Sequence, residues 1–483
     1  MAAEDEGGWL PEDDEASNVR SLPAAFNHTD LGNAERLIAH YRDRVHYSGQ
    51  RKKWLLWDGT RWRWDETFAI ERMAKRAVRK IRQEAASLDG KEATRVFQFA
   101  LQSESAKAIK AMVGLAQSEE GVPILVSDLD ADPYLLNAPN GTIDLRTGEI
   151  RDHRRTDLIT RTTGVKYDAD AQSELWDRVL LEACGSDSEL ALYLQYVIGY
   201  SLIGLPLERA LFFLYGPPGT AKSTLIDAFH AALGDYAQAA DFDTWLLKPQ
   251  VGGNRGDLVR LAGARLVTSS ETKPGVKWDE KLLKGITGGD ILTACAKYEN
   301  EVSFKPACTL LFAANDAPAA REDDDGFWAR MRRIPLTHQI PIERQDKGLK
   351  RQLAEPEHQQ AVLAWAVKGC AMYSAAKGFP KCAAVEESTT EYRAELDHFS
   401  TFLSDRTEMG EGYFVSRRDL RRAYVAWAEE VGRKVLLDDK AIVKKLRSKR
   451  FEELPPRHGY AMWGGLQLKA LGQSSMPDDS RWS

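Results

Sequence analysis

The sequence predicts an α/β protein with a parallel sheet, preceded by a mostly helical N-terminal region and followed by a small winged-helix-like module. Three observations carry that prediction. Residues 207–345 alternate apolar, strand-like runs with helix-like segments, the pattern of strands joined by crossovers. One run, "ALFFLYG" (210–216), passes into a Gly/Pro-rich turn and then a helix pattern that starts at Lys222. Further on, "SRRDLRRAYVAWAEEVG" (416–432) and "DDKAIVKKLRSKR" (438–450) read as two helices ahead of the strand-like "YAMWGGLQLK" (460–469).

Composition bounds the rest. A chain of 483 residues has room for roughly two to four domains. Its 43% hydrophobic and 29% charged content is that of a soluble globular protein. No apolar run approaches the roughly 20 residues of a membrane helix. The start is acidic and has no signal-peptide pattern, so a cytoplasmic protein with no membrane partner is expected. The five cysteines form no C-x-x-C pair, which suits a reducing compartment and argues against zinc. The net charge of −6 excludes a globally basic coat, so any DNA contact must come from local basic clusters.

In chain order, residues 1–20 read as a disordered acidic tail: the first 16 carry seven acidic side chains and no Lys or Arg. Residues 21–117 read as an α+β region. In it "RKKWLLWDGTRWRWDE" (51–66) forms a hairpin about Asp58-Gly59, and one long helical stretch follows from 67 to 117. The Arg and Trp mix suits base stacking, but a packed hairpin is the expected use. Residues 118–205 precede the motor as a helical domain. There "SDLDADP" (127–133) spaces three carboxylates like a polymerase metal site, yet no further acidic or His constellation supports it. Short strands follow around Asn140-Gly141 and Thr147-Gly148, then two helices over 173–204. The α/β domain covers 206–345, a helical segment 346–395, the winged-helix-like module 396–470 and a tail 471–483.

The chemistry is carried by residues 216–224. "GPPGTAKST" nearly matches the phosphate loop G-x-x-x-x-G-K-[ST]. Gly216, Pro217, Pro218, Gly219, Thr220 and Ala221 form the turn, and Lys222, Ser223 and Thr224 open the helix. Backbone N–H groups there would cradle the phosphates of ATP, Lys222 would reach the β and γ phosphates, and Ser223 would ligate Mg²⁺. Ala221 stands where the pattern asks for Gly. A nucleotide site also needs an acid on a second strand, and "ARLVTSSET" (264–272) ends on Ser270-Glu271. Glu271 would polarise water and, with Ser270, support the metal. A third run, "CTLLFAAND" (308–316), ends on Asn315, an amide placed to orient water. "DDDGFWARMRRIPL" (323–336) then supplies Arg330, Arg332 and Arg333, and an arginine there can serve as a finger into a neighbouring subunit.

Taken in order, these motifs resemble the superfamily 3 helicases of the phage and plasmid primase-helicase type, which includes the poxvirus replicative primase-helicase. The resemblance adds "KGITGGD" (284–290) with Lys297-Tyr298 to the residues above, and covers roughly residues 28–468. It implies an AAA+ motor with a P-loop, assembled as a homo-oligomeric ring, usually a hexamer. Such a ring hydrolyses ATP between subunits to unwind DNA in replication of a phage, prophage or mobile element, inside a bacterial host cell. Single-stranded or forked DNA is the implied partner, with a separate primase or other replication proteins, because the short N-terminal region is not expected to carry primase activity. The implied DNA hairpin is "TACAKYENEVSFKP" (293–306), in which Lys297 would contact phosphate, Tyr298 would stack or support a base, and Lys305 is a weaker candidate. Lys297 stands where the family usually has Arg, which keeps the charge but loses the bidentate fork. Two other readings stay open: an AAA+ protein remodeller, and an origin-binding protein that uses ATP only as a switch.

Overall fold

The structure, a computed structural model, describes residues 26–248, 256–273, 275–294, 302–321, 323–431, 437–457 and 459–469. The chain divides into two compact units, one from Met1–Pro318 and Ala329–Glu386, the other from Ala319–Trp328 and Glu387–Ser483.

The first unit opens with α1 (Asp30–Tyr41), whose N-terminus is capped by Thr29. A three-stranded antiparallel meander follows: β1 (Val45–Ser48), β2 (Lys53–Trp57) and β3 (Trp62–Trp64). The β2–β3 turn closes on Asp58, whose Oδ1 accepts from the N–H groups of Thr60 and Arg61, both at 2.8 Å. Trp54, Trp57 and Trp62 are buried, so the aromatic hairpin is core, not a stacking surface. The single helical stretch expected next is three helices: α2 (Ala69–Ala86), α3 (Gly90–Ser103) and α4 (Ala106–Ala116). It breaks at the Asp89-Gly90 pair, where Gly90 has φ +60°, and at Ser105, which caps α4. α2 buries Ile70, Met73, Ala74, Ala77, Val78 and Ile81, one stripe at i, i+3, i+4 spacing.

Each carboxylate of "SDLDADP" has its own structural partner. Asp128 accepts from Leu125 N–H, Asp130 from the backbone and hydroxyl of Thr160, and Asp132 from Arg146. They serve three separate loops. A second meander, β4 (Leu135–Ala138), β5 (Gly141–Asp144) and β6 (Glu149–Arg151), turns at the two Gly positions read from sequence. Helices α5 (Glu174–Ala183) and α6 (Ser188–Ser201) are capped by Ser173 and Asp187.

The central sheet then forms. Its elements run β7 (Leu211–Tyr215), α7 (Lys222–Leu233), β8 (Ala237–Ala239), α8 (Gly256–Val259), β9 (Leu266–Ser270), α9 (Glu280–Gly288), β10 (Leu292–Ala294), β11 (Val302–Phe304), β12 (Thr309–Ala314) and β13 (Met331–Pro335), with α10 (Asp325–Trp328), a part of the second unit, between the last two in sequence. Strand order is β13-β7-β12-β9-β8, with every pairing parallel. β12 is buried along its whole length and β7 along all but Tyr215, which is why both read as continuous apolar runs. β10 and β11 pair antiparallel as a separate ribbon. Helices α11 (Leu349–Leu353) and α12 (Pro356–Ala376) complete the unit. α12 lies on α6 with backbones nearly touching: a Cβ on Gly199 would stand 2.2 Å from Cys370 N, and one on Gly369 would stand 2.2 Å from Gln195 O.

α13 (Ala383–Leu396) leads from the first unit into the second. There α14 (His398–Arg406), α15 (Arg417–Glu430) and α16 (Asp439–Ser448) pack on an antiparallel sheet of β14 (Thr407–Ser416), β16 (Tyr460–Leu468) and β15 (Glu452–Arg457), in that spatial order. The core includes Phe399, Phe402, Tyr424, Trp427, Leu446 and Trp463. α14 and the long β14 add to the two helices and hairpin expected from sequence.

Candidate functional site

Parallel strands deliver their following loops to one edge of a sheet, where crevices form. The register defines that edge here. Tyr215 of β7 pairs with Ala314 of β12 and with Pro335 of β13, while Ala313 pairs with Ser270 of β9. Gly216, Asn315 and Glu271 therefore leave three adjacent strands within one residue of the same level. With strands about 4.8 Å apart, the outer two stand roughly 10 Å from each other.

The loop after β7 is built by close backbone contact. A Cβ on Gly216 would lie 1.9 Å from the carbonyl oxygen of Leu336, and Leu336 N–H donates to Tyr215 O at 2.7 Å. Further along, Ile340 N–H donates to Gly219 O at 3.0 Å and Gln339 Nε2 to Pro218 O at 3.0 Å. The segment after β13 thus braces the loop from one side, which the sequence did not reveal: these are mainly backbone contacts across more than 100 residues, with no motif to mark them.

Lys222, the first residue of α7, is only 9% exposed. Its ammonium donates to Gly216 O at 2.7 Å, Pro217 O at 2.8 Å and Thr220 Oγ1 at 3.1 Å. All three acceptors are neutral, and burial lowers its pKa from the usual lysine value. No side chain caps the first turn of this 12-residue helix, so its leading N–H groups are left for another acceptor at the loop. Ser223 is exposed beside Lys222, and Thr224 is buried. Pro218 and Gly219 form the exposed tip of the loop, and Thr220 is buried beneath it.

Ala221 has φ +61°, and Glu271 has φ +66°. Two non-glycine residues in the left-handed region flank the same crevice, and such outliers gather at functional sites. Glu271 is exposed, with its N–H donating to Ala313 O at 3.2 Å. Ser270 is exposed as well. Its neighbour Ser269 is buried and spent on structure, accepting from Trp245 Nε1 and donating to Ala240 O, each at 2.7 Å. Asn315 is exposed at the end of β12.

The arginines separate. Arg330 precedes β13, and its carbonyl accepts from Leu211 N–H at 2.9 Å, so it sits at the opposite edge of the sheet from Gly216. Arg332 donates to Ala329 O and Met331 O. Arg333 is 2% exposed, its guanidinium 4.6 Å above the Tyr215 ring, which makes it part of the packing behind the loop. Lys305 is exposed after β11, with its Cε close over Gly289, the left-handed cap of α9. A cation there suits the helix C-terminus. Lys297 and Tyr298 lie outside the described residues, between the two strands of the β10–β11 ribbon.

The chain has relatives among known proteins. Residues 34–185 match a family model described as D5 N terminal like, and residues 214–333 match a family of unknown function, DUF5906. A candidate helicase of Acanthamoeba polyphaga mimivirus is 27% identical over 302 residues, covering 59% of this chain and 31% of that protein. A candidate helicase of Invertebrate iridescent virus 3 is 25% identical over 230 residues, covering 43% of this chain and 23% of that protein. The chain thus spans less than a third of either relative. Apo structures of the NrS-1 C-terminal region share the fold over 87% of this chain and 95% of theirs, with TM-scores of 0.50 and 0.51 at 11% identity. Residues 34–185 are therefore similar to the D5 N terminal like family, in a chain similar over part of its length to viral proteins named as candidate helicases.

Proposed function

We propose that the chain is an ATP-dependent DNA helicase motor that works as a homo-oligomeric ring in replication of a phage, prophage or mobile element. The observation that carries this reading is the buried Lys222 ammonium. It is held among neutral oxygens under a backbone loop, at the strand edge that also presents Glu271 and Asn315. A buried cation with no carboxylate partner among the described residues, next to uncapped helix N–H groups, fits a phosphate chain. The donors also fit Mg²⁺: the Ser223 hydroxyl at the start of α7, and Ser270 and Glu271 at the end of β9, are hard oxygen ligands. Bound Mg²⁺ would neutralise charge on the phosphate oxygens.

In this reading Gly216–Ala221 is a P-loop that wraps the phosphates with its N–H groups, Lys222 holds the terminal phosphate, and Ser223 and Thr224 begin the helix that faces it. Glu271 orients and polarises the attacking water, with Asn315 between it and the loop. Arg330, placed at the far edge of its own sheet, serves the neighbouring subunit. The β10–β11 ribbon carries Lys297 and Tyr298 toward single-stranded or forked DNA, and Lys305 has a lesser part. The second unit, helices on a three-stranded antiparallel sheet with a basic α16, is the winged-helix-like module.

The test is ATP hydrolysis with and without single-stranded DNA, for wild type and Lys222→Ala. Stimulation by DNA and its loss in a folded Lys222→Ala chain support the helicase reading. Hydrolysis indifferent to DNA assigns the motor to protein remodelling, and tight ATP binding with negligible turnover assigns it to a switch.

A further inference from the structure

The solvent face of α2 is strongly charged and mostly basic, with Glu71 one turn ahead of its cations and Glu84 one turn after them. Lys75, Arg76, Arg79 and Lys80 recur at i, i+1, i+4 and i+5, opposite the buried stripe of Met73, Ala74, Ala77, Val78 and Ile81. Among the described residues none of these four cations has an ion pair, although their neighbours do: Arg82 is bound to Glu104 at 2.7 Å. In a chain with net charge −6, such a face is a local exception. It is not a membrane anchor, because the apolar face such a helix would insert is already buried in the core.

A second observation stands at the head of the same helix. Phe68, its N-terminal cap, is 71% exposed and has φ +57°. A bulky side chain in the left-handed region is an outlier, and the surrounding turn explains how it persists. The Asp65 carboxylate accepts from Thr67 N–H at 3.1 Å, Ala69 N–H at 2.9 Å and Ile70 N–H at 2.9 Å. Arg72 reaches back to the carbonyl and hydroxyl of Thr67. The turn is wound about one carboxylate and braced by a guanidinium, and it leaves an aromatic ring in water about two helical turns before the row of cations.

We propose that Phe68 and the Lys75, Arg76, Arg79 and Lys80 face form a second contact for single-stranded nucleic acid, separate from the β10–β11 ribbon. Cations tracking phosphates beside an aromatic platform for a base are the two parts such a site needs. The inference rests on the reading of the chain as a nucleic-acid motor. A duplex would use the cations but has no unstacked base for Phe68.

The test measures binding of a fluorescent oligothymidine to the full-length protein across a salt series. Phe68→Ala should weaken binding roughly 5- to 100-fold, the usual loss for one stacked base, while Phe68→Tyr keeps it. The Lys75→Gln, Arg76→Gln, Arg79→Gln, Lys80→Gln variant should flatten the log–log salt dependence by about 0.7 for each phosphate contact removed, roughly 2 to 3 in all. Basal ATP hydrolysis should be unchanged in every variant, since none touches the site at the strand edge. Wild-type affinity and slope in both Phe68→Ala and the glutamine variant overturn this inference and leave the motor reading intact. If wild type binds no oligonucleotide, both fall. Tighter binding by the glutamine variant also overturns it, by assigning the face to the acidic residues of segment 1–16.

Discussion

The substitution Ala221→Gly tests whether the departure from the usual loop pattern handicaps the site. At φ +61° an alanine pays for its Cβ, about 1–2 kcal/mol for an L-residue in the left-handed region. Glycine removes that cost, but its more flexible unfolded chain gives back about 0.4–1 kcal/mol. The Ala221 methyl also packs partly against the main core, and losing a half-buried methyl costs about 0.4 kcal/mol. The terms nearly cancel, leaving a change between about −0.4 and +1.2 kcal/mol. In a unit this large that is a shift of no more than about 3 °C in melting temperature. Ala221→Val is the contrast: a β-branched side chain at positive φ should be clearly destabilising, by more than about 2 kcal/mol. Thermal melts of the three proteins, with ATP turnover measured alongside, decide the matter. A rise above about 5 °C in Ala221→Gly, or a gain in turnover above about 100-fold (roughly 2.7 kcal/mol), would refute the balance. The wild-type loop would then be strained into poor function.

Other outcomes follow from the same geometry. Gly216→Ala places a Cβ against Leu336 O, which should cost more than about 3 kcal/mol and lower the melting temperature; a wild-type melt would contradict the close approach. Glu271→Gln should keep ATP affinity in equilibrium binding but slow single-turnover hydrolysis by at least about 100-fold; lost affinity with unchanged chemistry counts against its role. Burial works to raise the Asp397 pKa, but hydrogen bonds from Ser400 and Lys449 outweigh it and hold the carboxyl below its usual value. Its contribution to the second unit is therefore full above that usual value and is lost as pH falls through the lowered one. Acid titration of unfolding should be steeper below about pH 4 for wild type than for Asp397→Asn, and parallel curves would dismiss the role.

What the sequence made legible is what lies in contiguous residues. The β7–loop–α7 unit could be read because strand, turn and helix each carry their own signal within 24 residues, 210–233. β13 reads poorly: "MRRIP" has two arginines, and the contact that lets Arg333 be buried over the Tyr215 ring comes from a strand more than 100 residues earlier. β14 is mostly exposed and contains two glycines, so neither alternation nor an apolar run marks it. The helical stretch after residue 67 reads as continuous because its apolar period survives across short breaks, where Gly90 and the Ser105 cap decide the geometry. The carboxylates of "SDLDADP" show the converse, a regular spacing in sequence whose members serve three unrelated loops. The brace on the phosphate-loop candidate, Leu336 to Ile340, was invisible because it acts mainly through backbone.

The placement of Arg330 has a consequence for assembly. β13 runs parallel to β7 with Met331 beside Leu211 and Pro335 beside Tyr215. Arg330 lies one residue before that register and Gly216 one residue after it, so about six steps of 3.3 Å, roughly 20 Å, separate their levels. An extended arginine side chain spans only about 7 Å, too little to close that gap, so Arg330 cannot serve the nucleotide of its own chain. If it stabilises phosphoryl transfer at all, it does so across a subunit boundary. Lys222→Ala chains then lack a loop but can lend an arginine, and Arg330→Ala chains lack the arginine but keep a loop. Each is inactive alone. Mixed at equal amounts in a ring with head-to-tail contacts, one boundary in four pairs an intact loop with an intact arginine, so about a quarter of the wild-type rate should return if the sites fire independently. The measurement is ATP turnover against mixing ratio, with mixed rings verified by differently tagged chains. Recovery that peaks at equal mixing is the expected result. No recovery in rings shown to be mixed would make Arg330 a structural residue of the β13 edge, and the nucleotide site would have to be complete within one chain.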